Sequence, residues 1–379
     1  MIVAINALNS NSGGGESIRN SYLKLLNKEK LSKKYFVIAS KKSDINFINN
    51  ENIKIIKMGM FASSSVFAPI VYDVILNKLL KKISADIVLN IGDLIIRTEV
   101  KQIYVFDWSY ALEVHPKVWE RMNAADWIRR KIKVFLIRKN LRRPNIVIAQ
   151  TKYIAEKLQK TYELEDVRVL NNAVTLNASV KEKVNYWLPA GKLLFYPSIY
   201  YPHKNIEIFI PLAKIIKEKN LDCKIITTVN PNTIAAKKFL KFIELMELKD
   251  TIINIGQVPS SEMSGIYKRI DALLMPTLLE SFSIVYLEAM YHKVPILTSN
   301  MWFARSVCGN AAVYFDPLDE NDIYNSIEKF LTNNTLRASL IKKGVARLSQ
   351  FPTWDKTFTA INGFINESLS ANSLSRKNK

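Results

Sequence analysis

Cysteine and histidine are scarce. The 379 residues hold two cysteines, Cys223 and Cys308, and three widely spaced histidines, His115, His203 and His292. Two thiols cannot build a disulfide framework or a Cys-based zinc site, and the histidines form no His-rich metal cluster, so no metal ligands are assigned. Long apolar runs are also missing. The most membrane-like stretch, Met58–Tyr72, contains three serines, ends at Asp73 and is too short to span a bilayer. The opening Met1-Ile2-Val3-Ala4-Ile5-Asn6 carries no basic leader and no long apolar core of a signal peptide. These absences give the expectation of a soluble protein kept in the cytoplasm, a reducing compartment.

Hydrophobic residues make up 48% of the chain and charged residues 23%, a globular composition. The charge is lopsided: 54 Lys and Arg stand against 34 Asp and Glu, a net +20 with pI near 9.7. That balance favours an anionic partner, whether nucleic acid, acidic membrane or phosphorylated substrate. Residues 1–180 carry 29 basic against 16 acidic side chains, and residues 181–379 carry 25 against 18.

Short β-branched runs alternate with longer amphipathic stretches. Strands are predicted at Ile2–Asn6, Tyr35–Ala39, Ile87–Asn90, Gln102–Phe106 and Ile146–Gln150, with helices at Glu16–Leu26, Ile70–Ile83, Lys117–Asn140 and Tyr153–Thr161. A second series predicts strands near Lys192–Tyr196, Cys223–Thr228, Thr251–Ile255, Ala272–Met275 and Val294–Thr298. Its helices fall near Ile206–Lys217, Asn232–Leu245, Ser260–Lys268, Ser283–Tyr291 and Glu320–Thr332. Such alternation implies parallel sheets with right-handed crossovers, and two series imply two doubly wound α/β domains. The boundary is expected within Thr175–Ala190, giving domains 1–180 and 181–352, with a C-terminal helix, 353–379, returning to the first. Ser368–Lys379, rich in Ser, Asn and Lys, is expected to fray.

Ligands of open α/β sheets bind beyond the carboxyl ends of the strands, at helix N-termini. Two segments stand there. Gly13-Gly14-Gly15 follows the first strand and leads into a helix; it reads either as a phosphate cradle or as a flexible turn, and it lacks the G-x-G-x-x-G and G-K-[ST] patterns. The second segment, Pro276 to Met290, follows an apolar strand. Glu280 falls in its turn and Glu288 about two helical turns later, so the pair can accept hydrogen bonds from sugar or ribose hydroxyls. The amides of Phe282, Ser283 and Ile284 can face a diphosphate or a sugar. The alternative makes Glu280 a cap and Glu288 a surface charge, although Glu288 interrupts an otherwise apolar helix.

The Pro276–Met290 segment resembles the E-x7-E signature of the large family of retaining glycosyltransferases that includes bacterial lipopolysaccharide and capsule transferases. Further resemblances occur in order along most of the chain. Gly13–Gly15 is similar to the family's glycine loop, Ile148–Thr151 to its interdomain strand end, and Val169–Val174 to its linker. Tyr201–Asn205 resembles the lysine-bearing loop, Gly256-Gln257-Val258 the base-contact loop, and Gly309–Pro317 the "GdAalyfdP" segment. The resemblance implies a GT-B fold, two Rossmann-like domains facing across a cleft, with donor in the C-terminal domain and acceptor in the N-terminal one. It implies that Glu288 binds ribose hydroxyls, Glu280 contacts the transferred sugar and Lys204 pairs with the donor phosphates, with Ser281, Phe282, Ser283, Gln257 and Val258 lining the donor site. No metal and no cofactor are implied beyond a nucleotide diphosphate-sugar as donor. Three positions depart from the family pattern. Phe106 precedes Asp107 where a His is common, Ser198 stands where a phosphate-binding Arg is usual, and Ser283 replaces a Gly. Asp107 and Trp108, after a strand's carboxyl end, are nonetheless candidates for the site.

Trp127 to Arg143 holds eight basic residues and no acidic one. Ile128, Ile132, Phe135 and Leu136 share one helical face. The apolar stripe is expected to point inward and the cations toward either solvent or anionic lipid head groups, with Lys78, Lys81 and Lys82 as a second patch. The expected function is transfer of a sugar to a glycan, lipid-linked acceptor included, by an enzyme peripheral to the inner face of the plasma membrane. Three other classes remain open at this level: a glycosyltransferase-like scaffold of low activity, a basic nucleic-acid-binding protein lacking any recognisable sequence-specific motif, and an epimerase on the same fold, which the lysine loop and E-x7-E disfavour.

Overall fold

The structure, a computed structural model, describes residues 1–11, 13–64, 66–92, 94–173 and 186–377. The chain divides into two units. The first contains Met1–Glu113, Met122–Thr175 and Pro352–Lys379; the second contains Val114–Arg121 and Leu176–Phe351.

The first unit is built on seven strands: β1 (Ile2–Asn6), β2 (Lys34–Ser40), β3 (Ile53–Met58), β4 (Ile87–Asn90), β5 (Lys101–Phe106), β6 (Ile146–Ala149) and β7 (Val167–Val169). All pairs are parallel, in the order β3-β2-β1-β4-β5-β6-β7. The second unit has β8 (Lys192–Tyr196), β9 (Cys223–Thr227), β10 (Ile252–Asn254), β11 (Ala272–Met275), β12 (Ile296–Ser299) and β13 (Ala312–Phe315), again all parallel, in the order β10-β9-β8-β11-β12-β13. Central strands such as β4 and β11 are buried along their whole length, as strands of a doubly covered parallel sheet are. The direction of winding reverses between β1 and β4 in the first sheet and between β8 and β11 in the second. At such reversals the loops leaving adjacent strands splay apart and leave a crevice.

Buried amides cross the first sheet from the carboxyl ends of β1 and β4 to the beginning of β5. Asn6 donates to Asn90 (2.8 Å), Asn90 to Gln102 (2.6 Å), and Gln102 to the Ile96 carbonyl (2.8 Å). Satisfied buried networks of this kind fix strand positions, because a slipped register would strand several polar groups.

Three sequence expectations are corrected here. The single helix over Lys117–Asn140 is two, Pro116–Glu120 and Ala124–Asn140; Asn123 ends the gap by accepting from the Asp126 amide, an N-cap bond that starts a new helix. Over its described part Ser368–Lys379 is helical, because the helix Trp354–Lys377 continues through it, and Leu369 is buried. In Ala124–Asn140 the inward face is Val134, Ile137 and Asn140, while Ile128 and Phe135 are exposed rather than turned inward. Most of the expected Thr175–Ala190 boundary lies outside the described residues.

Candidate active site

In the second unit the chemistry gathers at the β8/β11 reversal. The loop after β8 runs from Ser198 to Asn205. The Ser198 amide donates to Thr228 Oγ1 (2.9 Å), and its hydroxyl donates to the Ile199 carbonyl (2.9 Å). Lys204 ends a 3-10 turn, Pro202–Lys204, whose last carbonyl accepts from the buried Tyr196 hydroxyl (2.8 Å). Asn205 follows at φ 55°, ψ 34°, the left-handed region that asparagine tolerates better than most residues. Its side-chain amide donates to the carbonyls of Pro276 (2.9 Å) and Pro317 (2.6 Å), so one buried residue ties together the loops after β8, β11 and β13. Arg121, from the Val114–Arg121 excursion, donates to the Asn205 side-chain oxygen.

The loop after β11 reaches the same place. Leu278 donates its amide, and Thr277 its hydroxyl, to the His203 carbonyl. This stitching sets Lys204 Nζ 2.5 Å from Glu280 Oε1, with the two side chains only 17% and 12% exposed. An ion pair so shielded is stronger than a surface pair and is costly to break from one side. Glu280 is therefore a lysine partner, not a simple helix cap.

Ser281 leads into Phe282, whose ring is buried edge-on against Phe351 (centroids 5.6 Å apart); its side chain is core, leaving only its backbone for a ligand. Ser283, where a glycine was expected by resemblance, has φ 63°, ψ 95°, a conformation that favours glycine. It precedes the helix Ile284–Tyr291. Glu288 lies in that helix and is no surface charge. Its carboxyl accepts from the buried Tyr267 hydroxyl (3.0 Å), and Tyr267 stacks on His292 at 5.2 Å. Desolvation raises the Glu288 pKa to about 7, against the Tyr267 hydrogen bond, which lowers it. Gly256 has φ +75° and opens the turn carrying the exposed Gln257 and the half-buried Val258; Gln257 accepts from Asn230 (3.1 Å) and, at its carbonyl, from Tyr186 (3.2 Å).

The remaining candidates belong to the first unit. Gly13 (φ +56°), Gly14 and Gly15 form the first turn of the helix Gly13–Lys28. A Cβ on Gly15 would stand 3.6 Å from Ser10 Cα and 3.9 Å from Asp107 Oδ2, so the glycine turn and Asp107, after β5, face each other. Phe106 is fully buried, edge-on to Tyr104. Trp108 is covered by Lys133, whose Nζ is 4.0 Å from the ring centre. A cavity of about 230 Å³ is lined by Asn9, Asn11, Ser63, Ser64, Ala68, Leu94 and Lys133.

Sequence reasoning missed four supports of these sites: Asn205, Thr277, Tyr267 and Arg19. Arg19 is fully buried and donates to the Ser10 carbonyl and Asn11 Oδ1 (3.2 Å), bracing the loop after β1; burial holds its pKa below the usual value. Only Asn205 carries a sequence signal, an Asn directly after the lysine in a turn.

Residues 182–347 match the model of the family Glycosyl transferases group 1. A curated relative is the O-antigen chain mannosyltransferase RfbU of Salmonella typhimurium strain LT2, 28% identical over 198 residues, which are 51% of this chain and 53% of the relative. The chain thus spans about half the length of that relative. Among solved structures, sucrose-phosphate synthase from Thermosynechococcus elongatus superposes with a TM-score of 0.73 at 13% identity, over 98% of this chain and 100% of that one. Anabaena HepE, solved with UDP-glucose, gives 0.68 at 13% identity, over 97% and 100%. The fold is that of the GT-B glycosyltransferases: two parallel-sheet α/β domains. The chain's second unit carries the part that matches the glycosyltransferase family.

Proposed function

We propose that the protein is a retaining glycosyltransferase that moves a sugar from a nucleoside diphosphate-sugar to a glycan acceptor during bacterial surface-polysaccharide synthesis. The observation that carries this reading is the shielded Lys204–Glu280 pair at the β8/β11 reversal, followed by Glu288 in the next helix, all inside the family-matched region. The ammonium of Lys204 offsets charge on the departing diphosphate, and the helix N-terminus after Ser283 adds free amides to the same end. Glu280 accepts from hydroxyls of the transferred sugar, and Glu288 from those of the ribose. The relative's O-antigen name and the UDP-glucose held by the HepE structure support the class of pathway and of donor. Lysine and amides perform the charge offset, so the reaction runs without a metal ion. In the first unit, Asp107 is the candidate catalytic carboxylate and the Gly13–Gly15 turn the candidate phosphate cradle. Among the described residues no helix is long and apolar enough to cross a membrane. The basic helix Ala124–Asn140 docks the enzyme on the inner face of the plasma membrane, where a lipid-linked acceptor is found.

The test is transfer and hydrolysis with a panel of nucleotide sugars. Lys204→Met should abolish transfer with the fold intact by circular dichroism, although it strands the shielded Glu280 carboxylate and lowers the melting temperature. Glu280→Gln should lower turnover more than nucleotide affinity, and Glu288→Ala should do the reverse, at a cost of about 1.5–3 kcal/mol in nucleotide binding. EDTA should leave activity unchanged. Near-parental transfer by Lys204→Met, or a strict Mg²⁺ or Mn²⁺ requirement, would refute the assignment.

A further inference from the structure

Water-facing helix stripes in a soluble domain are normally polar. Two helices of the first unit break that rule. From Ala68 to Lys82 the chain forms one helical run with a π turn at Val71–Ile75. Its inward stripe is Ala68, Val71, Tyr72, Leu76 and Leu80. Its outward stripe is Phe67, Ile70 and Val74, at 47%, 57% and 45% exposure, and continues at the same helical spacing into exposed Lys78, Lys81 and Lys82. The helix Ala124–Asn140 repeats the design. Trp127, Lys131, Phe135 and Lys139 form an i, i+4 line on its outward side; Phe135 is 62% exposed, Lys131 Nζ lies 5.2 Å from the Trp127 ring centre and Lys139 Nζ 6.0 Å from that of Phe135. The two segments are neighbours, because Ser63, Ser64 and Ala68 share one cavity wall with Lys133. Phe61 and Val66 add two more exposed apolar side chains to the preceding loop.

We infer that this surface inserts into an anionic lipid bilayer: Phe67, Ile70, Val74, Ile128 and Phe135 enter the acyl boundary, and the lysines of both stripes hold the head groups. This rests on the membrane-docked reading above and deepens it from electrostatic adsorption to apolar insertion. Aliphatic tips among lysines fit an interface of hydrocarbon and phosphate. Two other occupants fit worse. A second copy meeting this patch across a two-fold axis would set lysine stripe near lysine stripe. A nucleic acid would gain nothing from Ile70, Val74 and Ile128, which cannot stack on bases as aromatic rings do.

Vesicles of phosphatidylcholine alone, and mixed with phosphatidylglycerol, test the inference with the full chain at about 0.1 M and about 1 M salt, where screening lengths fall to roughly 10 Å and 3 Å. The parent should keep measurable binding to anionic vesicles at the higher salt. Combining Phe67→Ser, Ile70→Ser and Val74→Ser should weaken that binding at least about tenfold, and Phe135→Ser should weaken it independently from the other helix. These side chains point outward, so melting temperatures should hold. Combining Lys78→Gln, Lys81→Gln and Lys82→Gln should act mainly at low salt. Brominated acyl chains should quench a fluorescence component that Trp127→Phe removes. Equal high-salt binding by the triple-Ser variant and the parent overturns insertion. Complete loss of parental binding at high salt also overturns it, while leaving electrostatic docking intact. A parent that ignores anionic vesicles even at low salt sinks insertion and docking together, although transfer to a water-soluble acceptor can still proceed. A parental dimer that the triple-Ser variant dissolves assigns the surface to self-association instead.

Discussion

Glu288 shows how burial moves a carboxylate's titration toward neutrality. Its pKa is raised to about 7, from a reference of 4.5. The folded state therefore prefers the protonated form. The associated stability is complete below about 4.5 and is lost as pH rises through about 7. On the proposed ribose contact, donor binding has the opposite sign, because the ionised carboxylate is the better acceptor for hydroxyls. Nucleoside diphosphate affinity should fall about tenfold per unit as pH drops below 7. His292 stacks on Tyr267 beside this group, but burial and Lys268 depress its pKa, so its titration lies further to the acid side. Calorimetric titrations from pH 5.5 to 8.5 on the parent and on Glu288→Gln separate this effect from protonation of the ligand's own phosphate. A pH dependence that survives in Glu288→Gln would assign it elsewhere. Ser283 offers a second residue-scale test. Its positive φ strains any L side chain, so Ser283→Gly should raise stability by about 1 kcal/mol, and Ser283→Val should lower it, as read from thermal melting. Nucleotide affinity should survive the glycine change, since the backbone amides stay in place.

At the level of elements, legibility followed the strength of the local signal. β1, β4, β8 and β11 are short, β-branched or leucine-rich runs bounded by polar turns, and their limits read directly from the sequence. β3, β7 and β13 were not read: β3 and β7 carry charged residues, Lys54, Lys57 and Arg168, as outer strands exposed on one side do, and β13 is a four-residue edge strand. The helix break at Arg121–Asn123 was hidden because the amphipathic pattern runs on across it; only the Asn123 cap marks it. The candidate positions Glu280 and Glu288 followed from the turn and helix after β11, and Lys204 came only from the resemblance of Tyr201–Asn205 to the family's lysine-bearing loop. Their supports were not legible, because Asn205 bonds to carbonyls of Pro276 and Pro317, 71 and 112 residues away. No local pattern encodes such partners. Asn205→Gly keeps the backbone conformation and removes both ties. It should lower the melting temperature and weaken nucleotide binding together, whereas binding unchanged with a lowered melting temperature would mean that the loops hold Lys204 without it.

Across the whole molecule, the helix Trp354–Lys377 joins distant parts of the sequence within the first unit. Trp354–Lys377 ends the chain yet belongs to the first unit. It packs on the helix Gly13–Lys28 and on β4 and β5, and its Ile361, Ile365 and Leu369 join the core formed by Leu23, Leu26, Ile87 and Ile103. Phe358 lies 5.2 Å from Tyr22, Arg168 grips Glu367 at 2.5 Å, and Lys101 donates to the Ser368 carbonyl at 2.9 Å. Ile361, Ile365 and Leu369 follow the second unit in sequence, so the core they share with β4 and β5 closes only after that unit has been made. Ile365 is fully buried, so Ile365→Ala removes methyl groups and leaves a void, a cost of about 2–5 kcal/mol. The loss should appear where the helix packs. Hydrogen exchange should quicken through β1–β7, while β8–β13 keep their protection and nucleoside diphosphate binding is retained. Protection lost equally in both sheets would show that the molecule melts as one cooperative body. Protection lost only in the last helix would show that the first unit's core closes without it.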